Sequence, residues 1–184
     1  MQRSLSRPLV ELAPVELAPV ELSVLGADPG IVMVYGWQNM TFAIWRAPAS
    51  ASSIELLRRL GALLHERYPQ GISSVHVLAP GQTQLPSADV RAGFVRLINE
   101  HADWLGGNAV VIASSGFWAS AMRSVVTAMR VLGPRTLELR IHSRLDEVAQ
   151  WLPASHLKRT GVKIEPDELL RALRQAERTE PAAL

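Results

Sequence analysis

Apolar residues recur in two rhythms from about residue 30 to residue 178, short runs and stripes at helical spacing, and the two alternate. Residues 31–35 and 40–45 read as two strands joined at Gln38-Asn39, a hairpin. Ile31, Met33, Tyr35 and Trp37 share one side of the first strand. Phe42 and Ile44 share one side of the second, with Ala43 and Trp45 on the other. Apolar residues at both parities imply a sheet covered on both faces. A helix follows, opened by a capping box of Ser52 and Glu55, with Leu56, Leu57, Leu60, Leu63, Leu64 and Tyr68 as its buried stripe. Residues 75–78 predict a short buried strand. Ser87 caps the next helix, whose core positions are Val90, Phe94, Leu97, Ile98 and Leu105, and Gly106-Gly107 closes it.

The central stretch is a strand at 109–113, a Ser114-Ser115-Gly116 turn with Ser115 as N-cap, and a helix ended by Gly133-Pro134. Trp118, Met122, Val125, Met129 and Leu132 form its predicted stripe. Residues 136–142 alternate cleanly, which predicts a half-exposed strand at or near a sheet edge. A short helix through Trp151-Leu152 packs back, the chain extends after Pro153, and Pro166 opens a last helix through about Arg178. The expected fold class is therefore α/β: a mixed sheet of about four to five strands, element order ββαβαβαβα, with a helical extension.

Composition changes this picture at the ends. Of 184 residues, 48% are hydrophobic, ample for one sizeable core. Residues 1–29 differ: Pro-Val-Glu-Leu occurs at 14–17 and 19–22, with a near-copy at 9–12. A five-residue period fits neither helix nor strand, so this stretch reads as a flexible arm whose end could add a strand. The domain is assigned to 30–152 and the helical extension to 153–184. Glu11, Glu16 and Glu21 interrupt the N-terminal apolar run, against a secretory signal, and no run is long enough to span a membrane. With no cysteine, a cytoplasmic location is expected. The net charge of +2 is too balanced for a general nucleic-acid binder. Residues 123–163 hold eight basic against three acidic side chains, a solvated face or a mildly basic surface for an acidic partner.

The hairpin IVMVYGWQNMTFAIWR, the strand-helix NAVVIASSGFWASAMRSVV and the strand-helix LELRIHSRLDEVAQWL stand in an order that resembles the STAS domain, the fold of bacterial anti-anti-sigma factors and their relatives. The resemblance covers residues 30–152 and rests on element order. It implies a non-catalytic regulatory or adaptor protein that acts by binding a protein partner. In one branch of that family a serine in an Asp-Ser-(Ser/Thr)-Gly turn is a phospho-switch. The corresponding segment here is 85–89, and Ser87 is the nearest match, without the preceding Asp or the following Gly.

Candidate chemistry is sparse. Ligands of open parallel sheets sit outside the carboxyl ends of the strands. That rule gathers Ser114, Ser115 and Gly116 with His142, Ser143 and Arg144, near Gln82-Thr83-Gln84 and Ser87. Helix N-termini and an arginine could hold a small anion or a nucleotide there, although serines at helix starts are ordinarily caps. This defines the alternative function, a small-ligand sensor. No two histidines stand at metal-ligand spacing, and no phosphate loop, dinucleotide fingerprint or nucleophile elbow is present, so no cofactor, metal or catalytic residue is assigned. His142 is the one histidine to weigh for acid–base work, and His76 reads as a satisfied core histidine. Trp37 at the hairpin tip would anchor an interface if exposed. Phe117 and Ala121 begin a flank of α-helical spacing, continued by Ser124, Ala128 and Val131, that either meets a neighbouring helix or forms a homodimer.

Overall fold

The computed structural model describes residues 21–179. Six strands form one mixed sheet in chain order: β1 (Ser23–Asp28), β2 (Val32–Trp37), β3 (Met40–Trp45), β4 (Ile72–Leu78), β5 (Leu105–Ile112) and β6 (Glu138–His142). β1, β2 and β3 pair antiparallel, and β3 to β6 pair parallel. Successive parallel strands that advance in one direction through right-handed crossovers place every connecting helix on the same face. The connections are α1 (Ala51–Arg67), α2 (Ala88–Glu100) and α3 (Phe117–Leu132). The opposite face is covered by α4 (Leu145–Thr160) and α5 (Pro166–Arg178). The sheet is thus sandwiched, which accounts for the wholly buried β2, β3 and β5.

The α4/α5 side is the tighter of the two. Met33, Tyr35, Phe42, Val75 and Val111 meet Leu152, Leu169 and Leu173 there. α4 approaches β5 closely because Gly107 carries no side chain. A Cβ at that position would lie 2.5 Å from Leu152 Cδ1 and 2.7 Å from Ser155 Oγ. Hydrogen bonds pin α4 further. Gly107 N–H donates to Ser73 Oγ (3.1 Å), Ser73 Oγ–H to His156 Nδ1 (2.8 Å), His156 Nε2–H to Asn39 Oδ1 (3.0 Å) and Asn39 Nδ2–H to the Gly71 carbonyl (2.9 Å). Both ends of this chain are backbone groups, and His156 is fully buried. Burial pushes the His156 pKa down to about 4, so the ring is neutral and can accept at Nδ1.

Several expectations need correction. The sheet has six strands, not four to five, because the end of the arm does add one, β1 at 23–28. Hydroxyls of Ser50, Ser52 and Ser53 donate to Asp28 Oδ2 at 3.1, 2.9 and 2.7 Å and tie β1 to the start of α1. Those bonds, Ser53's foremost, hold the Asp28 carboxyl below its usual pKa. The repeat units at 9–12 and 14–17 lie outside the described residues. The capping box of α1 is Ser50 with Ser53, not Ser52 with Glu55. β5 begins at Leu105 and takes in both glycines. α3 buries Ala119, Met122, Val126 and Met129, a stripe rotated from the predicted one, and Leu132 is exposed. α4 runs through Pro153 instead of ending there. With α5 it belongs to the core of the same sandwich, so 153–178 is no appendage. α5 itself has the predicted bounds.

Candidate functional site

The α1–α3 side is built differently. α2 is held mainly by its neighbours α1 and α3, and reaches the sheet through long side chains. Phe94, for example, meets Trp45 edge-on with ring centroids 5.9 Å apart. Beneath α2 lies a cavity of about 150 Å³, bounded by the sheet and the inner sides of the three helices. It runs from Ile72, Trp104 and Leu105 at one end of the strands to Trp45, Leu78 and Gln82 at the other. The helices supply apolar walls, among them Leu57, Leu60, Leu97, Met122, Val126 and Met129.

The sheet supplies a polar floor. Strand pairing sets Thr41 opposite Ser74 and Ser74 opposite Asn108, one row across three strands. All three are buried and line the cavity. His76, two residues along β4, faces the same space. Burial pushes its pKa down to about 4, so this ring too is neutral.

Donor-only Trp45 sets the direction of the bonds that follow. Its Nε1–H donates to His76 Nδ1 (3.2 Å). The imidazole proton therefore sits on Nε2, which donates to Ser74 Oγ (3.3 Å). Ser74 Oγ–H then donates to Asn108 Oδ1. With its oxygen engaged there, Asn108 leaves Nδ2 at the end of the chain, buried and without a hydrogen-bond partner. The direction is the reverse of a nucleophile pair, in which histidine must accept the serine proton. What the arrangement offers is an unengaged donor on a residue that lines an apolar chamber.

The residues expected at the rim occupy the carboxyl ends of β5 and β6. Ser114 is half-buried, and Ser115 and Gly116 are exposed. Gly116, at φ 91°, is the N-cap of α3, with no side-chain cap, so Ser115 does not play that part. Arg123 closes this turn by donating to the carbonyls of Ile112 (2.8 Å) and Ser114 (3.3 Å). His142 Nδ1 stands 3.7 Å from Glu147, and its ring lies 5.4 Å from that of Trp151. Burial lowers its pKa, and Glu147 opposes the shift. Ser143 N–H donates to Glu147 (2.9 Å), and exposed Arg144 is paired with Asp146 (2.6 Å). Among the described residues no hydrogen bond joins the two turns. An anion at this rim would compete with Asp146 for Arg144. Among the described residues no three acidic or histidine side chains converge on a metal position.

Ser87 is exposed and caps α2 by accepting from Val90 N–H (3.3 Å). Phe117 is 90% exposed and Ala121 half-buried, so the outer flank of α3 meets no neighbouring helix at Phe117. Trp37 is buried, 6% exposed, under the α4/α5 layer and beside Phe42, and is a core residue, not a surface anchor.

The residues not anticipated from sequence are Thr41, Ser74 and Asn108. Their signal is polar residues within buried strands: Thr41 in MTFAIW, Ser73, Ser74 and His76 in ISSVHVL, and Asn108 in LGGNAVVI. No protein-family model matches the chain, and no curated protein matches it in sequence. No described helix is long and apolar enough to cross a membrane.

Proposed function

We propose that this is a non-catalytic regulatory binding domain whose input is a small apolar molecule held between the sheet and α1–α3. The observation that carries the reading is the cavity itself: an apolar chamber of about 150 Å³ with a few convergent polar groups. A volume of that order takes a molecule of roughly benzene size without expansion. The STAS-like element order supports a regulatory role. As a sensor the protein holds its ligand in the interior, not at the strand rim. At 100 times its Kd such a ligand stabilises the fold by about 2.7 kcal/mol, on the order of 5–10 °C in Tm for a chain of this size. Thermal unfolding against a panel of small neutral aromatics measures this. A shift of that size that disappears in Val126→Phe, which fills the chamber, supports the reading; no shift across the panel contradicts it.

A second reading, a protein partner seated on the outer side of α3, is favoured by Phe117, Val131 and Leu132, exposed at 90%, 77% and 67%. α3 would join the two readings, because Met122, Val126 and Met129 on its inner side wall the cavity. Loss of partner binding in Phe117→Ser, with Tm unchanged, is its test.

A further inference from the structure

We propose that the molecule accepted by the cavity is uncharged and carries one hydrogen-bond-accepting oxygen, a ketone or ester carbonyl on an apolar body, which it sets against Asn108 Nδ2. The inference rests on the cavity reading and specifies its ligand. Three observations carry it.

First, the polar chain has one direction. It starts at an indole that can only donate, passes through His76 and Ser74, and terminates in a primary amide whose oxygen is already engaged. The unengaged group at the end of the chain is therefore N–H, and only an acceptor satisfies it.

Second, that amide is deeply placed. Asn108 is 5% exposed and its Nδ2 has no partner among the described residues. A buried unpaired donor is costly, and the cost falls away when an acceptor arrives. The structure therefore discriminates in favour of molecules that bring one.

Third, the lining contains no Lys, Arg, Asp or Glu side chain. Its two titratable groups, His76 and His101, both have pKa values lowered by burial. A carboxylate or ammonium would be desolvated here with no opposite charge to meet it. A neutral carbonyl obtains the hydrogen bond without that cost.

Acetophenone, ethylbenzene and benzoate form a matched set of similar bulk: neutral acceptor, neutral without acceptor, charged acceptor. Each is titrated into the full-length protein, with affinity measured by calorimetry and the side-chain amide of Asn108 followed by ¹⁵N NMR. The expected result has three parts. Acetophenone moves the Asn108 side-chain resonance and ethylbenzene does not. In Asn108→Leu the acetophenone-to-ethylbenzene affinity ratio falls about tenfold. Benzoate binds at least tenfold more weakly than acetophenone. Because the NMR arm uses the unmodified chain, it stands even if Asn108→Leu folds poorly. Equal binding of acetophenone and ethylbenzene with an unmoved Asn108 amide overturns this inference and leaves the cavity reading intact. So does benzoate binding as tightly as acetophenone. Failure of all three to bind overturns the cavity reading along with it.

Discussion

On one face of the sheet hydrogen bonds run from Gly107 N–H through Ser73, His156 and Asn39 to the carbonyl of Gly71. On the other they run from Trp45 through His76 and Ser74 to Asn108. The ingredients match: a serine on β4, a neutral imidazole and an asparagine in each. The first chain begins and ends on backbone groups, and each side chain in it is bonded on both sides. The second has no acceptor at its end, and a chamber stands beside it. The packing differs in parallel. Gly107 lets α4 sit directly on β5, whereas α2 is carried by its neighbouring helices. A satisfied network under a tightly seated helix holds the fold together. An unfinished one beside a cavity is what the proposed ligand would complete.

The same substitution on the two faces should separate these roles. Asn39→Leu removes both bonds of a 1% exposed side chain and leaves His156 Nε2–H and the Gly71 carbonyl unpaired. At ~1–3 kcal/mol for each orphaned group, the expected loss is about 4 kcal/mol, on the order of 10 °C in Tm. Urea denaturation of the variant measures it. A loss below about 1 kcal/mol would erase the distinction between the faces.

Acidification comes next in size. His156 titrates at about 4 in the fold against 6.5 for an unperturbed ring. Between those values the unfolded chain holds more protons than the folded one, so stability falls as pH is lowered from 6.5 towards 4. His156 alone accounts for about 3 kcal/mol across the full window. His76 acts in the same direction. Stability measured from pH 7 to 4 should show the decline, and His156→Gln should flatten it. A pH-independent stability over that range would mean that these rings are not buried neutral.

The smallest effect is expected on the open face. Asn108→Leu removes an unpaired donor together with the oxygen that accepts from Ser74 Oγ–H, so it orphans one hydroxyl where Asn39→Leu orphans two groups, and its expected loss is about 1–2 kcal/mol. Comparison with Asn39→Leu by the same denaturation series sharpens the contrast. A loss at Asn108 as large as at Asn39 would mark both chains as structural.

Much of this architecture is legible in the chain. The hairpin, the Ser87 cap, the Gly133 end of α3, the bounds of α5 and the half-exposed character of β6 all follow from local periodicity and capping chemistry. What escaped depends on tertiary context. β1, expected only as an addition by the end of the arm, lies in a stretch with no strand rhythm, and its place is set by pairing with β2 and by Asp28 on three serines. Pro153 reads as a stop, yet packing on the sheet outweighs one missing N–H and the helix continues. Trp37 at a hairpin tip suggests exposure, and α5, far along the chain, covers its face. The Thr41–Ser74–Asn108 row exists through inter-strand register, which no single strand encodes. The cavity is a property of three helices together.

Methionine placement allows the most direct test. Met122 and Met129 wall the cavity, whereas Met33 and Met40 are buried in the core beneath α4 and α5. In the full-length protein labelled at the methionine methyl groups, titration with acetophenone should shift the signals of Met122 and Met129 in a saturable way and leave those of Met33 and Met40 in place. Methyl signals that stay fixed on both faces, or that move first at Met33 and Met40, would contradict the claim that the α1–α3 face is built to receive a ligand.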